Sequence, residues 1–166
     1  MDVKAAYDRL KDDQGFKKWQ KENKQCVLAH AFITVEGDMA SDWQFGFYNK
    51  DNDKMVTFFV QDKIQQMPEA EIFKRPEAVI VKFEIEDVKI PFARAMDVLN
   101  EFKEKEFDKE HITKSIVILQ HIQDIGLVWN VTNLTQTLNV LNVKISADSG
   151  EIKKHSFEAI MNFKAK

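Results

Sequence analysis

Apolar positions change their spacing along this chain, and the changes divide it into elements. Val3, Ala6, Tyr7 and Leu10 recur at the three-and-four spacing of one helix face, and Phe16 and Trp19 continue at i and i+3. At about 100° per residue the second pair lies off the first stripe, with Asp12-Asp13-Gln14-Gly15 between them. Two short helices, or one kinked at Gly15, are expected.

From Cys26 to Val35 the period falls to two. Val27, Ala29, Ala31, Ile33 and Val35 take one face of a long strand, and Leu28, His30 and Phe32 take the other. After Glu36-Gly37-Asp38 a second strand alternates Trp43, Phe45 and Phe47, and the polar run Asn49 to Asp53 turns the chain into a third, Met55 to Gln61. Pro68 and Pro76 exclude a helix interior next, and Val79, Val81, Phe83 and Ile85 alternate with charged residues as a half-covered strand would. Pro91 then opens a helix with the stripe Phe92, Ala95, Met96, Leu99 and Phe102, whose solvated far end is the Glu/Lys run at 101–110. Strands follow at Ile116–Ile122, around Leu127, Trp129 and Val131, and at Leu138–Ser146.

The order helix, strand, strand, strand therefore occurs twice. Trp129 follows Trp43 by 86 positions (43 to 129), and Ile145 follows Val60 by 85 (60 to 145), offsets that one residue in the intervening turn reconciles. The expectation is an α+β fold of two helix-plus-three-stranded antiparallel meander units, pseudo-duplicated and closely packed. Residues 1–66 form the first unit, 67–87 a connecting segment with a strand, and 88–166 the second unit.

Composition narrows the partners. The 166 residues are 44% hydrophobic, with 13 Phe and 3 Trp, which is enough for a core, while 31% charged residues keep the exterior wet. Lys and Arg total 24 against 27 Asp and Glu, for a net charge of −3, and no basic tract is free of acids, so a nucleic-acid surface is not expected. A single Cys26 leaves no intramolecular disulfide to make. There is no basic-then-apolar leader and no apolar run of about eighteen residues, so the chain as written is expected to be cytoplasmic, with no membrane span. A leader removed ahead of Met1 would instead place it outside the cytoplasm.

Three fragments of the second unit carry a family resemblance: Val88-Lys89-Ile90-Pro91-Phe92-Ala93-Arg94-Ala95-Met96, Leu127-Val128-Trp129-Asn130-Val131, and Val143 through Ser146-Ala147-Asp148-Ser149-Gly150-Glu151-Ile152. Over residues 88–152 the chain resembles PepSY-type domains, in which a helix introduced by a short strand packs on a hairpin ending in a polar glycine turn. Ser146 stands where the family usually has an acid, and Ser149 where it usually has threonine. The resemblance implies a cystatin-like architecture and an association with restraining peptidases, usually outside the cytoplasm.

Cys26 and His30 share a strand face in this reading, but four extended residues span about 13 Å, too far for a thiol–imidazole hydrogen bond. Asn49-x-Asp51-x-Asp53 imitates a calcium loop, yet Lys54 replaces the sixth-position glycine and Val60 the twelfth-position glutamate. His30, His111, His121 and His155 are scattered singly, and Trp43 and Trp129 fit a core better than a stacking platform. Asn130 and Asn133 each begin an N-glycosylation acceptor pattern. No catalytic, cofactor or metal residue is assigned, and oligomeric state is not specified. The expected function is a noncatalytic binding module whose partner is another protein, a peptidase or a peptide. The alternative is a small-molecule carrier or enzyme with a pocket lined by Phe32, Trp43, Phe45 and Phe58 between helix and sheet.

Overall fold

A computed structural model describes residues 1–72 and 78–162. The first helical segment is two helices, α1 (Val3–Asp12) and α2 (Gln14–Glu22). Asp13 makes the break: extended at φ −67, ψ 130, it ends α1 and caps α2, its carboxylate accepting the Phe16 N–H at 2.8 Å. The interruption therefore falls two residues before Gly15.

Among the described residues ten strands follow: β1 (Cys26–Glu36), β2 (Met39–Ala40), β3 (Trp43–Asn49), β4 (Lys54–Val60), β5 (Ile64–Gln66), β6 (Ala70–Glu71), then, after helix α3 (Phe92–Glu106), β7 (Ile112–Ile122), β8 (Gly126–Thr135), β9 (Asn139–Ser146) and β10 (Ile152–Ala159). They form one antiparallel sheet in the order β10-β9-β8-β7-β1-β3-β4-β5, with β2 added to β1 and β6 to β4. The chain is α+β, with three α-helices among the described residues on a large antiparallel sheet.

Each half contributes four strands to that path rather than three, since β5 and β10 extend the expected meanders. Trp43 pairs with Val60 on β4 and Trp129 pairs with Ile145 on β9. The two halves join along β1 and β7, where Ala31 faces Leu119, Phe32 faces Ile118 and Ile33 faces Val117.

All three helices cover the same face. Tyr7 of α1 meets Phe45 at 5.2 Å, Phe16 and Trp19 of α2 enclose Phe47 and Phe58, and Phe92 of α3 sits against both Trp43 and Trp129. These aromatics join Ala31, Ile33, Val117, Leu119, Val131 and Val143 in one core.

Three expectations need correction. In β1 the register slips between Leu28 and His30, a bulge at Ala29. Leu28 and Cys26 consequently face the helices, while Val27 pairs with Tyr48 on the open side. Val79 to Ile85 is not a strand, although Phe83 and Ile85 are buried as the alternation implied. Among the described residues its ladder contacts are a bridge from Val81 to His121 and the Phe83 N–H given to the Leu28 carbonyl at 3.3 Å, before a 3-10 turn at Ile85–Asp87. β1 and β7 already pair with each other up to His30 and Gln120, so the segment finds only the gap beyond that point. Pro76 lies outside the described residues. Finally, the run at 101–110 is not wholly solvated: Lys103 is 8% exposed, its stem laid on the core and its ammonium 2.8 Å from Glu104.

Candidate functional site

The three fragments that carry the family resemblance meet in space. Lys89 and Ile90, leading into α3, both donate their backbone N–H to the Ala147 carbonyl at 2.8 Å, and Ala147 donates its own to Leu127 at 2.9 Å. The Trp129 indole N–H reaches the Ile90 carbonyl at 2.9 Å. The Ser146 hydroxyl holds the turn, accepting the Asp148 and Ser149 N–H groups at 3.2 and 3.1 Å. Gly150, at φ +78, then turns the chain beside Ile90. On the surface Lys89 and Asp148 form an ion pair at 2.9 Å, which raises the lysine's pKa through that hydrogen bond and the carboxylate's charge. This corner is a structural latch between helix start and hairpin end.

Cys26 and His30 are held on opposite faces by the Ala29 bulge. Burial, with smaller contributions from the charges of Glu69 and Asp51, pushes the Cys26 thiol up, away from the thiolate that nucleophilic chemistry uses. His30 lies over Gly46 on β3, where any Cβ would overlap its imidazole. Burial holds His30 down at about 4, so the ring is neutral at neutral pH.

The other candidates disperse. His121 is half-buried, with no hydrogen-bond partner for Nδ1 among the described residues; His155 packs 5.0 Å from Phe102; His111 is exposed. Asn49 and Asn52 spend their side-chain oxygens on the N–H groups of Asp51 and Lys54 and their amides on Glu69, while Asp53 accepts from the Tyr48 hydroxyl. Among the described residues no three His, Cys, Asp or Glu side chains gather as metal ligands would.

Asn133 is wholly buried, bonded to the Ser115 hydroxyl at 2.7 Å and the Leu141 carbonyl at 2.9 Å, so its amide is not free for a glycan in the folded chain; Asn130 is largely buried and its oxygen accepts from the Asn142 amide. Trp43, Phe45 and Phe58 fill the helix-side core, whereas Phe32 points to the other side of the sheet, so these four line no common cavity. A shallow, open depression lies elsewhere, at Asp42 and Gln61–Gln65.

Sequence reasoning missed the open sheet face itself. There Phe32, Ile116, Ile118 and Phe59 are half-buried mid-strand, and no α-helix among the described residues packs on them. The alternation of Phe32 with Ala31 and Ile33 was visible, but period two does not say which face the helices take.

No family model matches the sequence, and no curated protein matches it. Among solved structures it is similar in fold to a "putative lipoprotein" of Clostridium difficile 630, with a TM-score of 0.54 at 11% identity over 87% of this chain and 90% of that one. No helix among the described residues is long and apolar enough to cross a membrane.

Proposed function

We propose that the chain is a noncatalytic protein-binding module, two related copies of one helix-and-sheet unit in the manner of PepSY-type and cystatin-like domains, which restrains a peptidase through its helix-free sheet face. The one-sidedness of the sheet carries this reading. The helices leave the other face of the sheet uncovered at the seam, where Phe32 and Ile118 stand half-buried opposite each other beside polar neighbours such as Thr34 and Gln120, with Ile116 two positions along β7 and Phe59 two strands away.

The two-copy part rests on equivalences beyond topology. Val3, Ala6 and Leu10 on α1 correspond to Phe92, Ala95 and Leu99 on α3, each pair 89 positions apart (3 to 92, 6 to 95, 10 to 99). The Trp43 indole bonds the Met1 carbonyl as that of Trp129 bonds Ile90, carbonyls also 89 apart (1 to 90). Phe32 and Ile118, which pair across the seam, are themselves 86 positions apart (32 to 118), the same offset as Trp43 and Trp129. The latch of Ile90, Trp129 and Ala147 supports the family part.

A panel of serine, cysteine, aspartic and metallopeptidases, assayed with and without the chain, tests the reading. One class should be slowed by a stoichiometric amount, and Phe32→Lys or Ile118→Lys should abolish the effect without unfolding the protein. No inhibition and no complex with any member overturns it.

A further inference from the structure

The two edges of the sheet are unequal. β5 is three residues long and Pro68 follows closely, whereas β10, past a bulge at Lys153, pairs without a break from Lys154 to Ala159 and holds no proline or glycine. A regular edge of this length is a template for another strand where its charges find partners. We infer that β10 pairs antiparallel with β10 of a second copy, centred on Ser156, and that the chain dimerises through one continuous sheet.

Backbone parity and side chains select this register together. The Ile160 N–H bonds the Leu138 carbonyl at 2.9 Å, and in the same ladder Glu158 pairs with Val140, Ser156 with Asn142 and Lys154 with Lys144. These residues direct their backbone groups into β9, so those of His155, Phe157 and Ala159 point outward. Centring on Ser156 sets His155 opposite Phe157 of the second copy, twice, with outward groups aligned for bonding. The same register sets Lys154 opposite Glu158, twice, on the helix-free face. Centring on His155 would put Lys154 opposite Ser156, and centring on Phe157 would put it opposite Ile160; both registers lose the ion pairs.

The helix side agrees. Phe157 is 39% exposed although it lies 4.8 Å from Phe107, and His155 is exposed although its ring meets Phe102. The aromatic row stops unfinished at the edge, and a second copy's Phe157 beside His155 continues it. This inference does not rest on peptidase binding, which was assigned to the centre of the sheet.

Sedimentation equilibrium of the full chain over roughly a hundredfold range of concentration should show mass rising toward the dimer. Lys154→Glu should weaken association by about tenfold or more, and Lys154→Glu with Glu158→Lys should restore it. In a Cys26→Ser background, Ser156→Cys should oxidise to a disulfide-linked dimer, because Cα atoms of a non-hydrogen-bonded pair lie about 4.5 Å apart, within disulfide reach. Lys153→Cys should not. Far-UV circular dichroism confirms that each variant is folded. A chain monomeric throughout, a dimer indifferent to Lys154→Glu, or equal cross-linking at positions 153 and 156 overturns the inference.

Discussion

Trp43 and Trp129 lie ring against ring, 6.1 Å between centroids, and each gives its indole N–H at 2.9 Å to a carbonyl two residues ahead of a helix, Met1 for one and Ile90 for the other. With Phe92 against both, they tie the two helix starts to the middle of the sheet.

Truncating either tryptophan to alanine should cost about 3–5 kcal/mol, as for other large core aromatics, and the two costs should be similar. Trp43→Phe and Trp129→Phe keep most of the ring and lose the hydrogen bond, at about 1 kcal/mol each. Urea unfolding of the four variants measures this. A cost at one position several times that at the other would remove the equivalence of the halves.

Gly46 is fixed by its neighbour rather than by its own backbone. Since a Cβ there would overlap the His30 ring, Gly46→Ala should destabilise by about 1–3 kcal/mol. Adding His30→Ala should return part of that loss, and a double-mutant cycle reads the coupling. Additive costs would mean that the ring moves aside freely.

His30 should also set part of the acid response. Its folded pKa of about 4 lies below the unfolded value of about 6.5, so the unfolded chain binds the proton first as pH falls. Above about 6.5 both states are neutral at this site and it contributes no pH dependence. Stability is then lost between about 6.5 and 4, on the order of 3 kcal/mol at about 1.4 kcal/mol per unit. His30→Gln removes the contribution, so the stability difference between parent and variant should change across that window. A constant difference from pH 7 to pH 4.5 would contradict the assignment.

Cys26 should alkylate slowly. With the thiol pushed up by burial, the pH at which iodoacetamide labelling reaches half its limiting rate should lie above that of a free cysteine peptide measured alongside. Cys26→Ser should leave peptidase restraint unchanged. A midpoint at or below the peptide's would reverse this reading of the site.

Much of the fold was legible because burial follows period. The stripes of α1 and α3 and the alternation of Trp43, Phe45 and Phe47 reappear as buried faces of helices and strands. The Ala29 bulge was not legible, since one extra residue in a strand changes no composition; its trace was Gly46, a glycine inside an aromatic run opposite His30. Phe83 and Ile85 alternated because both are anchors in the core, but alternation does not supply the free strand edge that a ladder needs. β10 escaped notice for the opposite reason: with its outer flank wet, Ile152–Ala159 mixes lysine, histidine, serine and phenylalanine without a clean period.

The seam between β1 and β7 also bears on how the chain reaches this shape. Val35 meets Ser115 and His30 meets Gln120, partners 80 and 90 positions apart (35 to 115, 30 to 120), whereas the β3–β4 and β8–β9 hairpins close over short turns. The hairpins can form locally and early, but the seam requires the longest loop closure in the sheet. Until it forms, each half presents an open strand, Ala31 and Ile33 on one and Val117 and Leu119 on the other, that would accept the matching strand of a neighbouring molecule. Refolding yield should therefore fall with protein concentration, through exchange of halves between chains as well as through the outer edge.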